Sequence, residues 1–327
     1  MEKANLKKQK NILGEKLNLD VLRGLSSFIG LIVLCVLLAI ISPVFLTVTN
    51  ILNILVQVAV ISVIAAGATF VILTGGIDLS VGSILGLCGV VSAGVLKATG
   101  SPVLAILTGI LLGALLGLIN GTVISIGKVP AFVTTLGMMS VARGLAFIYT
   151  HGRPISGFPD SFRFIGSGYL GNIPFPVIEA IIIFVIAAYI LKKTPFGRYV
   201  YAIGSNEIAT RLSGIKTNKH KIMVYVISGL LSGFAAIMFI GRINSGHPLG
   251  GDGYELDAIA AVVIGGTSLS GGKGTVMGTL IGALIMGVIR NGLNLLNVDA
   301  FWQGVVLGVV IVAAVLIDQR SKKTTNL

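Results

Sequence analysis

The sequence predicts an all-α, polytopic membrane protein of about ten transmembrane helices, and three observations carry that prediction. First, of 327 residues 54% are hydrophobic and only 11% charged, with a mean hydropathy of +0.98. A soluble domain carries roughly 25% charged residues, so a chain this apolar lacks the polar surface to stay dissolved. Second, apolar runs near the length that crosses a bilayer follow one another with short breaks. Third, the basic residues gather between alternate runs. Ten spans of about 20 residues consume roughly 200 residues, which leaves no room for a separate soluble catalytic domain.

Taken in order, the spans run Ser27–Phe45, Ile51–Thr74, Ser83–Ala98, Val103–Ile126, Ala131–Tyr149, Pro176–Leu191, Ile222–Gly241, Glu255–Leu269, Thr275–Leu296 and Phe301–Ile317. Residues 1–26 form a basic leader. The first apolar run continues for about a full span, so it reads as an anchor and not a cleaved signal. The transmembrane domain is thus 27–317, with a long polar loop at 192–221 and a tail at 318–327. The third, sixth, eighth and tenth spans are short for a straight crossing. They are either discontinuous helices lining a path or full helices with edges drawn too tightly.

Net charge is +12. In a soluble chain that would raise nucleic acid as a partner, but position decides against it. Six basic residues precede the first span (Lys3, Lys7, Lys8, Lys10, Lys16 and Arg23), seven lie between Lys192 and Lys221, and three follow Ile317. With the amino terminus inside, these, Lys128 and Lys273 all fall on the cytoplasmic side, 18 of the 24 basic residues. That is the positive-inside asymmetry. It predicts a multi-pass membrane protein with both termini cytoplasmic.

Glycine is abundant, at 44 residues. Pairs such as Gly113–Gly117, Gly229–Gly233 and Gly278–Gly282 have the small-xxx-small spacing that lets helix backbones approach closely. A weak internal echo relates Gly113–Phe132 to Gly282–Phe301, in opposite membrane directions; it is either an inverted repeat or the chance likeness of apolar segments. Cys35 and Cys88 lie in apolar runs and read as small hydrophobes. The three histidines show no metal spacing.

Three segments stand out as functional candidates. In the 192–221 loop, residues 205–215 read as a short helix with Ser205 or Asn206 as N-cap. Glu207 in its first turn suits the helix dipole, and Gly214 closes its end. Ile208 and Leu212 share a face, with Ile215 just beyond. Two turns are not stable alone in water, so the helix packs on something, either a motor subunit or its own membrane domain and the lipid surface. Between the second and third spans, Gly75-Gly76-Ile77-Asp78-Leu79-Ser80-Val81-Gly82 places a lone carboxylate in an apolar stretch. A carboxylate there faces a partner or water; it either caps the following helix or touches substrate. The third segment, Gly251–Asp257, carries Glu255 and Asp257 into an apolar run that ends in a glycine-rich turn at 265–274. That turn is not a Walker A loop, because Thr267 stands where its first glycine belongs and Gly274 follows Lys273. Outside, the loop 151–175 offers His151, Arg153 and Arg163 either as a docking surface for an external partner or as a solvated connector.

Thr74-Gly75-Gly76-Ile77-Asp78-Leu79-Ser80-Val81-Gly82-Ser83 resembles a motif of ABC permeases for ribose, xylose, arabinose and related sugars. Gly204–Glu207 with Arg211–Ile215, and Gly253–Ser268, are similar to two further motifs of that family, and with Gly197-Arg198-Tyr199 and Asn291–Leu295 the likeness covers nearly the whole chain. Gly75 stands where some members carry serine. The resemblance is strongest to the ribose-type members. It implies the ABC importer permease fold in a bacterial cytoplasmic membrane, a permease dimer of two copies, a cytoplasmic ATPase that holds ATP and Mg, and an extracytoplasmic sugar-binding protein. It implies that this chain is not itself an enzyme and binds no cofactor, and that Asn206, Glu207, Ile208, Arg211, Leu212, Gly214 and Ile215 couple to the ATPase. Gly75, Gly76, Asp78, Ser80, Glu255 and Asp257 are assigned to helix breaks or the translocation path. The rival reading, an ion-coupled secondary sugar transporter, needs carboxylates buried within spans; Asp78 and Glu179 are the clear ones, both near span ends.

Overall fold

The computed structural model describes residues 27–325. The basic leader 1–26 and the last two residues of the tail lie outside them. Thirteen helices account for about three quarters of the described chain. Seven are long and apolar enough to cross a membrane: α2 (Val48–Leu73), α3 (Val81–Thr99), α4 (Pro102–Ser125), α5 (Ala131–Thr150), α7 (Phe175–Lys193), α10 (Thr217–Ile243) and α12 (Val276–Leu295). The apolar helix α1 (Ser27–Ile41) precedes them, and α13 (Ala300–Thr325) follows with an apolar stretch at Phe301–Ala313. With α11 (Tyr254–Ile264) these make the ten apolar segments expected.

The short spans divide. The third and sixth are full helices of 19 residues, α3 and α7, and the tenth continues polar to Thr325. Those three edges were drawn too tightly, because hydropathy fades before the helix does. The eighth is short in fact: α11 has 11 residues, about 16 Å at 1.5 Å per residue, half a bilayer.

The core is built on α2, whose central turns are buried on every side. Around it pack α7, α10, α11 and α12, and α3 and α4 join the bundle through α10. The closest approach joins α4 to α10. A Cβ at Gly113 would run into the Gly229 carbonyl, one at Gly117 into the Tyr225 carbonyl, and one at Gly229 into the Gly113 carbonyl. Both small-xxx-small pairs thus meet each other, backbone against backbone. Gly278 and Gly282 of α12 press in the same way on the carbonyls of Gly265 and Ala261, at the end of α11. Replacing Gly229 by valine is expected to separate α4 from α10. The cost should be roughly 1–3 kcal/mol or more, read as a lower unfolding midpoint of the purified chain, with Gly137→Val, at an open position of α5, unchanged.

The two long loops are more structured than connectors. In 151–175, α6 (Asp160–Ser167) lies against α10, and β2 (Tyr169–Leu170) pairs with β3 (Ile173–Pro174). A second pair, β1 (Ile155–Ser156) with β4 (Ser245–Gly246), ties this loop to the segment after α10. In 192–221, α8 (Pro195–Ser205) is capped by Thr194, whose hydroxyl accepts from the Gly197 N–H. It leads into α9 (Glu207–Leu212). The 192–221 loop, the break after α2 and the turn 271–274 meet at one end of the bundle, hereafter the basic end: the Gly272 N–H donates to the Leu73 carbonyl at 2.9 Å, and Gly204 abuts both.

Candidate functional site

Residues 74–80 leave the helix between α2 and α3. Gly75 has φ +80, a left-handed conformation that glycine adopts without steric cost. Gly76 lies directly under the Tyr225 hydroxyl, where a Cβ would be 2.5 Å from that oxygen. Beyond the break Asp78 is buried. Its Oδ1 accepts from the Ser80 N–H (3.0 Å) and the Ser80 hydroxyl (2.6 Å), and its Oδ2 accepts from the Ser228 hydroxyl of α10 (3.0 Å). The Asn120 amide of α4 in turn donates to the Ser80 oxygen at 2.9 Å. Asp78 thus ties the entrance of α3 to α4 and α10, its carboxylate holding an Asx-type turn.

The second break lies opposite, on the other side of the first turns of α3. After β4 the chain stays non-helical through Gly253 and runs along the glycine face of α3. Gly246 packs on Ala93, Gly250 on Gly86 and Gly251 on Gly82. Irregular backbone at this depth must have its polar groups satisfied within the protein. Arg143 of α5 does part of this. One guanidinium nitrogen donates to the carbonyls of Pro248 (2.7 Å) and Gly250 (3.0 Å), and the other lies 3.5 Å from the Asp252 carboxylate. The Glu255 carboxylate, in the first turn of α11, reaches the Gly82 backbone and has a buried oxygen without a hydrogen-bond partner. Asp257 is buried and bonds Arg290 of α12 at 2.6 Å. Thus Asp78 and Ser80 meet one another, Glu255 reaches the same end of α3 from the other side, and Asp257 faces away to α12.

At the basic end, α9 occupies Glu207–Leu212 within the expected 205–215 segment; Asn206 is its N-cap, and Ser205 ends α8. The Asn206 side chain accepts from the Ala209 N–H (2.9 Å). Gly214, at φ +83, donates to the Arg211 carbonyl, and the Ile215 N–H reaches back to the Thr210 carbonyl, the double closure of a Schellman motif. Thr210 is the buried side of this helix; Ile208 is 73% and Leu212 84% exposed. Glu207 holds α9 in place through Arg211 (3.2 Å) and, more tellingly, through Lys221 of α10 (3.1 Å). Burial pushes the Glu207 carboxyl up, but the bonds and charges of Lys221 and Arg211 outweigh this and hold it below the usual carboxylate range.

Lys221, Tyr225 and Ser228 follow at spacings of four and three, so they share one face of α10. One end of that face holds Glu207 of α9 and the other holds Asp78. Between the Gly75–Gly76 break, the α4–α5 turn and α9 lies a cavity of about 430 Å³, lined by Lys128, Glu207, Arg211, Lys221 and Tyr225. At the opposite end His151 and Arg153 are exposed, and Arg163 pairs with Asp160 at 3.2 Å. Sequence reasoning missed Arg143, Asn120, Lys221, Tyr225 and Ser228 as site residues. Arg143 carried a signal, a cation inside an apolar span; the others are common polar residues at helical positions.

A bundle of apolar helices interrupted by two breaks with buried polar side chains is the architecture of a multi-pass transport protein. Residues 50–315 match the family described as branched-chain amino acid transport system / permease component, and the chain belongs to that family. It is 52% identical over 302 residues to the ribose import permease protein of Bacillus subtilis strain 168, covering 92% of this chain and 94% of that one. It is 48% identical over 300 residues to the ribose import permease protein of Escherichia coli K12 (90% and 94% covered). The L-arabinose ABC transporter permease protein of Azospirillum brasilense is 41% identical over 288 residues (88% and 85% covered). No solved structure matches this chain.

Proposed function

We propose that this chain is the membrane-spanning subunit of an ABC importer that carries ribose, or a closely related monosaccharide, into the cell. ATP and Mg are held by a partner ATPase, an external binding protein delivers the sugar, and two copies of the chain form the permease. The basic end is cytoplasmic, with both termini. The observation that supports this most is α9: a helix fixed at both ends that holds Ile208 and Leu212 out into open space at the basic end. Relatives named for ribose import, at about half identity over nearly the whole chain, support the substrate.

A neutral polyol loses hydrogen bonds worth roughly 1–3 kcal/mol or more per hydroxyl on entering hydrocarbon, so transport needs a wet, alternately opened path. Movement of the ATPase displaces α9. The Glu207–Lys221 pair carries that displacement into α10, and Ser228 passes it to Asp78 and the break before α3. The two arrangements need differ by only a few kcal/mol, because each ligand has only to favour one of them.

ATP hydrolysis is measured in proteoliposomes holding this chain and its ATPase, with and without ribose-loaded binding protein. Stimulation with ribose entering the lumen is the expected result. Uptake without any ATPase subunit, collapsing with the proton gradient, would instead establish an ion-coupled transporter. Stimulation by a binding protein for another sugar keeps the mechanism and replaces the substrate.

A further inference from the structure

The cavity at the basic end is polar and carries an excess of cations. Its walls bring together Lys128 from the α4–α5 turn, Arg211 from α9 and Lys221 from α10, against the single carboxylate of Glu207. Glu207 already engages Arg211 and Lys221, and Lys128 has only the neutral Asn218 side chain at 3.1 Å. The charge balance therefore stays positive. The Tyr225 side chain also lines this space. It is 1% exposed, and its hydroxyl has no hydrogen-bond partner. A buried hydroxyl left unpaired is costly, and this one sits beside Gly76 at the wall of a space of about 430 Å³, within the range of small-ligand pockets.

We propose that this cavity binds a phosphate group, with Lys128, Arg211 and Lys221 supplying charge and the Tyr225 hydroxyl donating a hydrogen bond to a phosphate oxygen. Cations and a neutral donor converging on one space suit a compact dianion. On the transport reading given above, the apt ligand is the phosphate ester of the imported sugar, formed when phosphoryl transfer consumes it after entry. The cavity walls belong to α9 and to the Gly75–Gly76 break, so a bound dianion draws Arg211 and Lys221 away from Glu207. It thereby loosens the clamp between α9 and α10, and accumulated product slows its own import.

The test is direct binding, by ligand-induced thermal shift and calorimetry on the purified full chain, with ribose 5-phosphate, inorganic phosphate and ribose compared at equal ionic strength. This readout does not depend on uptake, so it can fail while the transport reading stands, and the reverse. Ribose 5-phosphate is expected to bind, and to lose about tenfold or more in affinity in Lys128→Gln and in Tyr225→Phe, the loss of one charged or buried bond. Lys128 is exposed, so its variant leaves the fold intact. Inorganic phosphate binding as well as the ester keeps the anion site and overturns the ester as its ligand. Failure of both phosphates to bind, binding unchanged in both variants, or equal binding of ribose overturns the proposal.

Discussion

Replacing Ile208 and Leu212 together by glutamate is expected to abolish ATP-driven uptake while leaving the purified chain as stable as the parent. Both side chains are exposed and lie four residues apart on α9, so the fold loses no packing. Fully burying one such side chain against a partner is worth roughly 1.5–3 kcal/mol. Losing two therefore weakens association with the ATPase by about a hundredfold or more, before the cost of burying two carboxylates is added. The readouts are capture of the ATPase by the tagged permease, uptake, and the unfolding midpoint. A lower midpoint would mean that this face packs on its own chain; normal capture and uptake would remove α9 from the ATPase contact. Glu207→Ala should act differently. It frees α9 from Lys221, so the ATPase still binds while transport falls, with sugar capture by the binding protein intact.

The parts of this fold legible in the sequence are those in which composition changes along the chain. Apolar runs marked the long helices, and Asn206, Glu207 and Gly214 marked both ends of α9 because capping chemistry is local. Glycine pairs foretold close helix contacts, and Gly113–Gly117 and Gly229–Gly233 meet one another in the α4–α10 contact. What was hidden depends on direction. A helix apolar on every side, such as α2, carries no stripe to show which neighbour it faces, and nothing local in α10 matches Ser228 to Asp78, 150 residues away. Nor could the hydropathy of 245–253 show that this backbone runs inside the bundle, since its burial depends on the missing side chains of Gly82 and Gly86 on α3. The loop 151–175, a docking surface or a solvated connector by sequence, showed no elements because its strands are two residues long, too short for any periodicity. Asn120 and Asn291, matched in the internal echo, are both buried, yet one serves Ser80 and the other pairs with Asn50 of α2.

Removing Arg290 should do more damage than removing Arg290 and Asp257 together. Asp257 is 2% exposed in its side chain, and Arg290, itself 23% exposed, is its ion-pair partner at 2.6 Å. In Arg290→Met the carboxylate stays buried with its countercharge gone, a change that costs about 3–5 kcal/mol where both groups are fully buried. The partial exposure of Arg290 places the expected loss near the lower end, at about 3 kcal/mol. In the double variant Arg290→Met, Asp257→Leu no charge remains to desolvate, and apolar side chains fill much of the same space. Stability should return to within about 1 kcal/mol of the parent, or exceed it. A double-mutant cycle by denaturant unfolding in detergent measures the difference; equal losses in the single and double variants would show that the pair does not hold α11 against α12. Uptake gives the second half of the argument. The half-length α11 ends against Gly278 and Gly282 with no side chain between the backbones, so Asp257–Arg290 is its polar attachment to α12. If α11 moves as a body when the path opens, the apolar double variant should fold normally and still transport more slowly, because a directional bond fixes the register of α11 and α12 and a methionine–leucine contact does not.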